Sequence, residues 1–284
     1  MQLIKTADFL TKHLSFLRTE DKNVTVGFIP TMGALHAGHL SLVEESVKQN
    51  DVTVCSIFVN PTQFGEEQDL VTYPKPIADD IRLLTEANCT VLFLPPVEEV
   101  YPKAYKHKTY ALDSLDLKIE GASRPGHFQG VCNVLDRLFT LIEPTNAYFG
   151  QKDFQQTVVV KKLVELINSP TKICVLPIAR EPHGLAMSSR NTRLSDQGRK
   201  NAAFIYRALQ QLKEDVVTLG VTKALDKAKQ FINAQKGASL DYLVIVDTDT
   251  LDEVDNLGDS NSVAALTVVE YEGVRLLDNI YLKA

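Results

Sequence analysis

Residues 23–43 read NVTVGFIPTMGALHAGHLSLV and contain no Asp, Glu, Lys or Arg. This run is long enough to cross a bilayer as a helix. It also contains Pro30, three glycines and two histidines, and its apolar periodicity changes halfway. We therefore predict a buried strand, a glycine-rich turn and the beginning of a helix.

Short apolar runs rich in β-branched residues alternate along the chain with stretches of helical spacing. The predicted strands cover residues 25–29, 52–59, 90–94 and 172–178. The predicted helices cover residues 40–49, 77–88, 131–142 and 157–167. Because the strands are almost continuously apolar, we expect a parallel sheet covered on both faces. The predicted fold class is α/β, with a Rossmann-like, doubly wound parallel sheet and right-handed crossovers.

The pattern changes after Gly184. Ser195 is placed to cap a long helix that ends near Gly220, and a second helix is predicted over residues 221–234. Strands are predicted over residues 241–246, 263–270 and 274–281, with a hairpin turn at 271–273. We expect two domains: a nucleotide-binding domain over residues 1–184 and a smaller α+β domain over 185–284.

Composition excludes several classes of protein. The 284 residues are 44% hydrophobic and 23% charged, with a net charge of −6, which argues against disorder and against a nucleic-acid footprint. The four cysteines, Cys55, Cys89, Cys132 and Cys174, are far apart and contain no C-x-x-C pair. We expect buried free thiols, with no zinc site. No secretory signal is visible, and we expect no membrane partner.

The turn predicted after the first strand has features of a phosphate-binding site. Gly33 and Gly38 let the backbone approach a ligand, and the following helix offers N–H groups and a positive dipole end. Their spacing imitates a P-loop, but His39 and Leu40 stand where a P-loop has Lys and Ser or Thr. No G-x-G-x-x-G is present, which disfavours NAD and FAD.

His36 and His39 are three residues apart. On the first turn of a helix both imidazoles can face one ligand and donate to phosphate oxygens. The alternatives are a structural pair or half of a metal site. The neighbouring glycines, strand and helix start favour the phosphate interpretation, and no further metal ligands stand at a recognisable spacing.

Two amides, Asn60 and Gln63, close the second long strand and suit a small polar substrate, although an Asn-Pro turn alone explains them. Residues 124–128, RPGHF, form a turn with two polar side chains, or a plain surface loop. Lys152 follows the short strand-like segment 148–149, and Arg190 follows Gly184 at the expected domain boundary. Cations at the edge of a sheet in an acidic protein indicate a nucleotide phosphate site.

Five segments in order resemble the signatures of the pantothenate synthetase family, the pantoate–β-alanine ligases of the HxGH nucleotidyltransferase superfamily. They are PTMGALHAGHLSLV (30–43), SIFVNPTQF (56–64), RPGHFQGV (124–131), FGQKDFQQ (149–156) and GLAMSSRN (184–191). The resemblance covers essentially the whole chain. It implies that pantoate attacks the α-phosphate of ATP to form a pantoyl adenylate, which the amine of β-alanine converts into pantothenate and AMP.

The resemblance also implies site residues. The catalytic residues would be His39 as proton donor, His36, Lys152 and Arg190. The ATP-binding residues would be Met32, Gly33, Ala34, Leu35, His36, Ala37, Gly38, His39, Gly150, Gln151, Lys152, Asp153, Ala179, Met187, Ser188, Ser189 and Arg190. The residues for pantoate and β-alanine would be Asn60, Gln63 and Gln156.

The resemblance further implies ATP as co-substrate and a homodimer formed through the larger domain. Mg²⁺ is expected because ATP chemistry normally needs it, and we expect a cytoplasmic location. The metal ligands are unassigned: Asp79 and Asp80 are candidates, although two acids at a helix start are usually dipole partners. Gln151 and Lys75 depart from the family pattern, which usually has Glu and Arg there. Both departures concern details of binding.

Three other functions are compatible with parts of the sequence. Another nucleotidyltransferase of the superfamily would pass AMP to a phosphorylated acceptor. Binding such an acceptor would need more cationic side chains, whereas Gln63 and Gln156 are neutral amides. A nucleotide-binding sensor without catalysis would need Gly33 and Gly38 but not the cations. A metal hydrolase would be built on the two histidines.

Overall fold

The structure is a computed structural model that describes residues 1–64 and 67–283. It divides into two compact units: Met1–Gly150 with Gln156–Leu176, and Gln151–Gln155 with Pro177–Ala284. The expected domains, 1–184 and 185–284, stay a prediction, and Ala284 lies outside the described residues.

The first unit contains a six-stranded parallel sheet. Its strands are β1 (Gln2–Ile4), β2 (Val26–Thr31), β3 (Val52–Ile57), β4 (Val91–Phe93), β5 (Asn146–Gly150) and β6 (Lys172–Leu176). Their order is β1-β4-β3-β2-β5-β6. The chain therefore adds strands on one side of β2 and then returns to add β5 on the other. The order reverses between β2 and β5, where ligands of open α/β sheets bind beyond the carboxyl ends of the strands.

Helices cover both faces of this sheet. They are α1 (Ala7–Glu20), α2 (Ala37–Gln49), α3 (Glu67–Thr72), α4 (Ile77–Glu86), α5 (Val97–Val100), α6 (Glu120–Ser123), α7 (His127–Ile142) and α8 (Phe154–Leu166). On one face Leu42 and Val43 of α2 pack with Leu84 of α4 against the strands. On the other, Phe28 meets Phe139 of α7 edge to face, with centroids 6.2 Å apart.

The α/β fold class and the parallel sheet are confirmed. The segment at 23–43 forms β2, a turn and the beginning of α2, as predicted. The sequence analysis missed β1, because a three-residue strand gives too short a pattern to recognise. It also missed α1. Cys55, Cys89 and Cys132 are buried free thiols, and Cys174 is half-buried.

The second unit contains helices and a three-stranded antiparallel sheet. The helices are α9 (Asp196–Asn201), α10 (Phe204–Leu219) and α11 (Val221–Asn233), and the strands are β7 (Ala238–Asp247), β8 (Val263–Tyr271) and β9 (Val274–Lys283). The sheet order is β7-β8-β9. The turn between β8 and β9 has Glu272 and Gly273 at positive φ, which suits a two-residue hairpin connection.

The single long helix predicted from Ser195 to near Gly220 is wrong. Ser195 caps α9, as its hydroxyl accepts from Gly198 N, but α9 ends at Asn201 and α10 begins at Phe204. At the break, the N–H of Ile205 bonds to the carbonyl of Ala202, three residues back. The apolar periodicity continues across the break, so the sequence pattern did not show it.

Within the described ranges, no helix combines the length and the apolar character that crossing a membrane requires.

Helix α7 approaches the short 3₁₀ helix Pro61–Gln63 so closely that only glycine fits at position 130. A Cβ added to Gly130 would collide with the carbonyl oxygen of Thr62. We predict that Gly130→Ala lowers the free energy of unfolding by about 1–3 kcal/mol, as overpacking does. Helix propensity alone would make the alanine variant more stable by about 0.5–1 kcal/mol. A loss of stability would therefore indicate overpacking, and a gain would indicate that propensity dominates.

Denaturant unfolding measures this change. Gly258→Ala is the control, because a Cβ there meets nothing within 4 Å. A Gly130→Ala protein as stable as the wild type would contradict the close approach.

Candidate functional site

The loop after β2 is held by one buried carboxylate. Asp80, in the first turn of α4, accepts hydrogen bonds from Ala34 N at 3.0 Å and Leu35 N at 2.8 Å. Its side chain is fully buried. Burial raises the pKa of Asp80, and the two backbone hydrogen bonds oppose that rise. The carboxylate therefore fixes the path of the chain between strand and helix.

Two successive residues of this loop, Gly33 and Ala34, have positive φ. Gly33 has φ of 82°, and a Cβ there would lie 3.0 Å from both Asp80 Oδ2 and Ile57 Cγ2. Ala34 has φ of 52°, which is uncommon for a residue with a side chain. The hydrogen bond from Ala34 to Asp80 stabilises this conformation.

His36 and His39 both turn one ring nitrogen toward the backbone. Nδ1 of His36, the N-cap of α2, accepts from Gly38 N at 3.1 Å, and Nδ1 of His39 accepts from His36 N at 3.4 Å. An imidazole that accepts at Nδ1 carries its proton at Nε2 in the neutral form. The ring centroids are 4.1 Å apart. The two rings can therefore present Nε2–H donors side by side at a helix N-terminus.

Asn60 organises the turn that follows β3. It is 1% exposed, and its Oδ1 accepts from the hydroxyls of Thr62 and Tyr101, each at 3.0 Å. Its Nδ2 donates to Gln63 Oε1 at 3.0 Å and to the carbonyl of Gly130 at 3.2 Å. The amide of Asn60 thus holds the Gln63 side chain in place.

The RPGHF segment supports the same turn from the N-terminus of α7. His127 Nδ1 lies 2.8 Å from the carbonyl oxygen of Gln63, and Arg124 Nη1 lies 3.4 Å from His127 Nε2. Gln63 Nε2 contacts Met32 Sδ at 3.3 Å. The structure therefore brings the loop after β2 and the turn after β3 together at the same edge of the sheet. Gln156 is half-buried in the first turn of α8.

In the second unit, three of the predicted phosphate-binding residues line one cavity. These are Lys152, Ser188 and Arg190, and Asp278 of β9 also lines it. The Lys152 side chain is 20% exposed and pairs with Asp153 Oδ1 at 2.9 Å. Two cations and a hydroxyl facing one space can bind an anion with several oxygens.

The segment from 179 to 191 is folded back on itself. Met187 N donates to Ala179 O at 2.9 Å, and Asn191 Nδ2 donates to Glu181 Oε1 and Ala186 O, each at 3.0 Å. Burial raises the pKa of Glu181, but hydrogen bonds from Arg199 and Asn191 outweigh burial and lower it overall. Ala179 and Met187 are therefore adjacent although eight residues separate them.

An ion pair with β9 anchors this segment. Arg180 donates from Nη1 and Nη2 to the two oxygens of Asp278 at 2.7 and 2.8 Å, and its guanidinium lies 3.6 Å from the ring centroid of Tyr206. The Asp278 side chain is 2% exposed. Burial raises the pKa of Asp278, and the bonds from Arg180 offset part of that rise.

Sequence reasoning missed Asp80 as the anchor of the loop, and it missed the pair formed by Arg180 and Asp278. Asp80 looked like a dipole partner of α4, because nothing local links it to Leu35, 45 positions earlier. Arg180 and Asp278 are 98 residues apart. Pairs so distant in sequence leave no spacing signal in one chain.

No group of three or more His, Cys, Asp or Glu side chains within residues 1–64 and 67–283 is arranged to hold a metal ion. The oxygens of Asp80 are engaged by the two backbone N–H groups.

Comparisons with known proteins agree on one family. A family model described as pantoate-beta-alanine ligase matches residues 2–281. The chain is similar to pantothenate synthetase from Cytophaga hutchinsonii, with 47% identity over 92% of this chain and 93% of that protein. It is also similar to the crystal structure of pantothenate synthetase from Thermus thermophilus, with TM-score 0.92, 39% identity and full coverage of both chains.

A third similar protein was solved with ligands. It is the pantoate-beta-alanine ligase from Francisella tularensis, complexed with beta-gamma ATP and beta-alanine. The TM-score is 0.80 at 34% identity, covering 99% of this chain and 98% of that one.

We predict that Asp80→Ala destabilises the protein, whereas Asp79→Ala does not. Removing Asp80 leaves two backbone N–H groups without their acceptor, and each buried unsatisfied group costs about 1–3 kcal/mol. The Asp79 side chain is 72% exposed, so its loss should change stability by less than about 0.5 kcal/mol. Urea unfolding gives both values, and hydrogen exchange at Ala34 and Leu35 should accelerate only in Asp80→Ala.

The loss of stability in Asp80→Ala, relative to wild type, should depend on pH. Because the folded-state pKa of Asp80 is raised above 3.8, the folded state binds this proton more tightly than the unfolded state. The stabilisation by Asp80 is therefore fully present below 3.8 and decreases as pH rises through the folded-state pKa. The measurement is the free energy of unfolding of wild type and of Asp80→Ala at several pH values. A difference between the two free energies that grows with pH would contradict this prediction.

Proposed function

The chain belongs to the pantoate-β-alanine ligase family, and from that premise we propose how its residues join pantoate to β-alanine with ATP. The products are pantothenate, AMP and pyrophosphate. The observation that carries the proposal is the loop after β2, where His36 and His39 cap one helix N-terminus at the point where strand order reverses. That place in the sheet and those donors suit nucleotide phosphates.

In the first step, a carboxylate oxygen of pantoate attacks the α-phosphorus of ATP. The bond between the α-phosphorus and the bridging oxygen breaks, pyrophosphate leaves, and pantoyl adenylate remains. Because the carboxylate is already an anion, the protein needs no general base or nucleophilic side chain. Its contribution is to position the reactants and to stabilise negative charge on the phosphate oxygens.

In the second step, the amine of β-alanine, in its neutral form, attacks the acyl carbon of the adenylate. The bond between that carbon and the phosphate oxygen breaks, AMP leaves, and the new amide nitrogen loses a proton to solvent. Gln63, oriented by Asn60, is proposed to contact both pantoate and β-alanine. Gln156 is proposed to contact pantoate.

The loop after β2 is proposed to bind the nucleotide through His36, His39 and the backbone from Met32 to Gly38. In the second unit Lys152, Ser188 and Arg190 are proposed to bind phosphate oxygens, because they line a common cavity. Gly150, Gln151, Asp153, Ala179, Met187 and Ser189 complete the proposed ATP-binding set.

Mg²⁺ is proposed to accompany ATP, where it would neutralise part of the phosphate charge. With Asp80 engaged by the loop, the described residues fit an ion held mainly by phosphates and water, which Mg²⁺ favours. Asp79, whose side chain is 72% exposed, is the carboxylate that would supplement them. We also propose a cytoplasmic homodimer, on the resemblance of the five sequence segments.

Product analysis with purified protein tests the function. The mixture contains ATP, Mg²⁺ and D-pantoate, with and without β-alanine. Sustained AMP, pyrophosphate and pantothenate should appear only when both substrates are present, and pantoate alone should give a single-turnover burst of adenylate. ADP as product would replace the mechanism with a kinase, and bound nucleotide without turnover would support a sensor.

We predict that His39→Ala and Lys152→Ala each slow adenylate formation. Losing one donor aimed at transition-state charge lowers the rate about 10²–10³-fold. Lys161→Ala is the control for Lys152→Ala, since it removes an exposed lysine from α8. Single-turnover kinetics measure the rate, and near-wild-type rates in either site variant would remove that residue from the proposed machinery.

We predict a different effect for Gln156→Ala. It should weaken pantoate binding about 10-fold, as expected when a hydrogen bond worth about 1.4 kcal/mol is lost. ATP affinity is the internal control and should not change. Unchanged affinity in a pantoate titration would remove Gln156 from the site.

A further inference from the structure

Asn279 lies on β9, and its side chain reaches the peptide groups of Gln151 and Lys152. Its Nδ2 donates to Gln151 O and to Lys152 O, each at 3.0 Å. Its Oδ1 accepts from Gln151 Nε2 at 2.9 Å. Asn279 is 2% exposed, so these bonds are sheltered from water.

This arrangement uses nearly everything that an asparagine side chain offers. Both amide hydrogens have acceptors, and the oxygen has a donor. The two hydrogen bonds restrain the two peptide groups on either side of the Lys152 Cα, which limits rotation about the backbone of Lys152. A single hydrogen bond would permit that rotation.

The adjacent residue performs a similar task on another segment. Asp278 pairs with Arg180 through two hydrogen bonds, and Arg180 forms an isolated antiparallel bridge with Ala186. Asp278 Oδ1 also accepts from the backbone N of Asn279 at 2.7 Å. One pair of residues on β9 therefore fixes the segment that carries Lys152 and the segment that carries Arg190.

We propose that Asn279 is a positioning residue of the ligase, which holds the Gln151–Lys152 peptide so that the Lys152 ammonium faces the nucleotide phosphates. The inference rests on the proposed function, since it uses the role given there to Lys152. The Asn279 side chain bonds to Gln151 and Lys152 and is proposed to make no contact with substrate. Its contribution to the reaction is exerted through Lys152.

A purely structural role would look different in kinetics. If Asn279 only stabilised the sheet, removing it would affect the enzyme equally whether or not Lys152 were present. If it acts through Lys152, removing it should matter only when the lysine is there. A double-mutant cycle separates the two cases.

The experiment compares wild type, Asn279→Ala, Lys152→Ala and the double variant. ATP affinity is measured by calorimetry, and kcat and the KM for pantoate by product formation. We expect Asn279→Ala to lower kcat about 10–100-fold, as small displacements of a catalytic group do, to weaken ATP binding, and to leave the KM for pantoate unchanged. In the Lys152→Ala background, Asn279→Ala should change kcat and ATP affinity by no more than about twofold.

Thr267→Val is the matched control. Thr267 is 1% exposed on the neighbouring strand β8 and donates to the carbonyl of Tyr242 at 2.9 Å. Its loss removes a buried bond from a side chain to a backbone carbonyl in the same sheet, without touching the Gln151–Lys152 peptide. It should lower stability and leave kcat and ATP affinity unchanged.

The proposal would be overturned if Asn279→Ala lowered kcat and ATP affinity equally with Lys152 present and with Lys152→Ala. It would also be overturned if Thr267→Val lowered kcat as much as Asn279→Ala does. If Asn279→Ala does not fold, Asn279→Ser keeps one donor and replaces it in the cycle. If wild type binds ATP but makes no pantothenate, the proposed function fails, while the cycle in ATP affinity still decides whether Asn279 acts through Lys152. Absence of ATP binding by wild type would overturn both.

Discussion

The carboxylate of Asp80 is the contact on which the arrangement of the first unit depends. Between β2 and α2 the chain must reverse through Gly33 and Ala34, both at positive φ, and Asp80 accepts the two N–H groups that this path turns inward. With the loop fixed, His36 begins α2 as its N-cap, and the two imidazoles follow. A buried acid on a neighbouring helix thus determines where the two imidazoles lie.

In the second unit, side chains of the last strand, β9, hold the loops in place. The segments around Lys152 and around Ala179 lie in loops. Asp278 and Asn279 attach these loops to β9 through a bidentate ion pair and through two hydrogen bonds from one amide. In each unit, loops that carry candidate site residues are held by buried polar side chains on regular elements, which limits the motion of those loops.

The main fold and the candidate residues were predictable because their signals are local. The change of periodicity near Pro30 and the apolar strands defined the parallel sheet, and five motifs identified the family. The supporting contacts were not predictable. Asp80 lies 45 residues from Leu35, and Asn279 lies 127 from Lys152, so no local spacing reveals them. The break between α9 and α10 was missed for another reason, since the apolar face continues through it.

The position of β9 in the chain has a consequence for the order of folding. The segments that carry Lys152 and Arg180 leave the ribosome long before Asp278 and Asn279 are synthesised, and domains generally fold as units during synthesis. The parallel sheet of the first unit can form while those segments still lack their anchors. Closing contacts across about 100 residues is slow compared with local pairing. The loops of the second unit that carry Lys152 and Arg180 are therefore among the last parts of the nascent protein to become ordered.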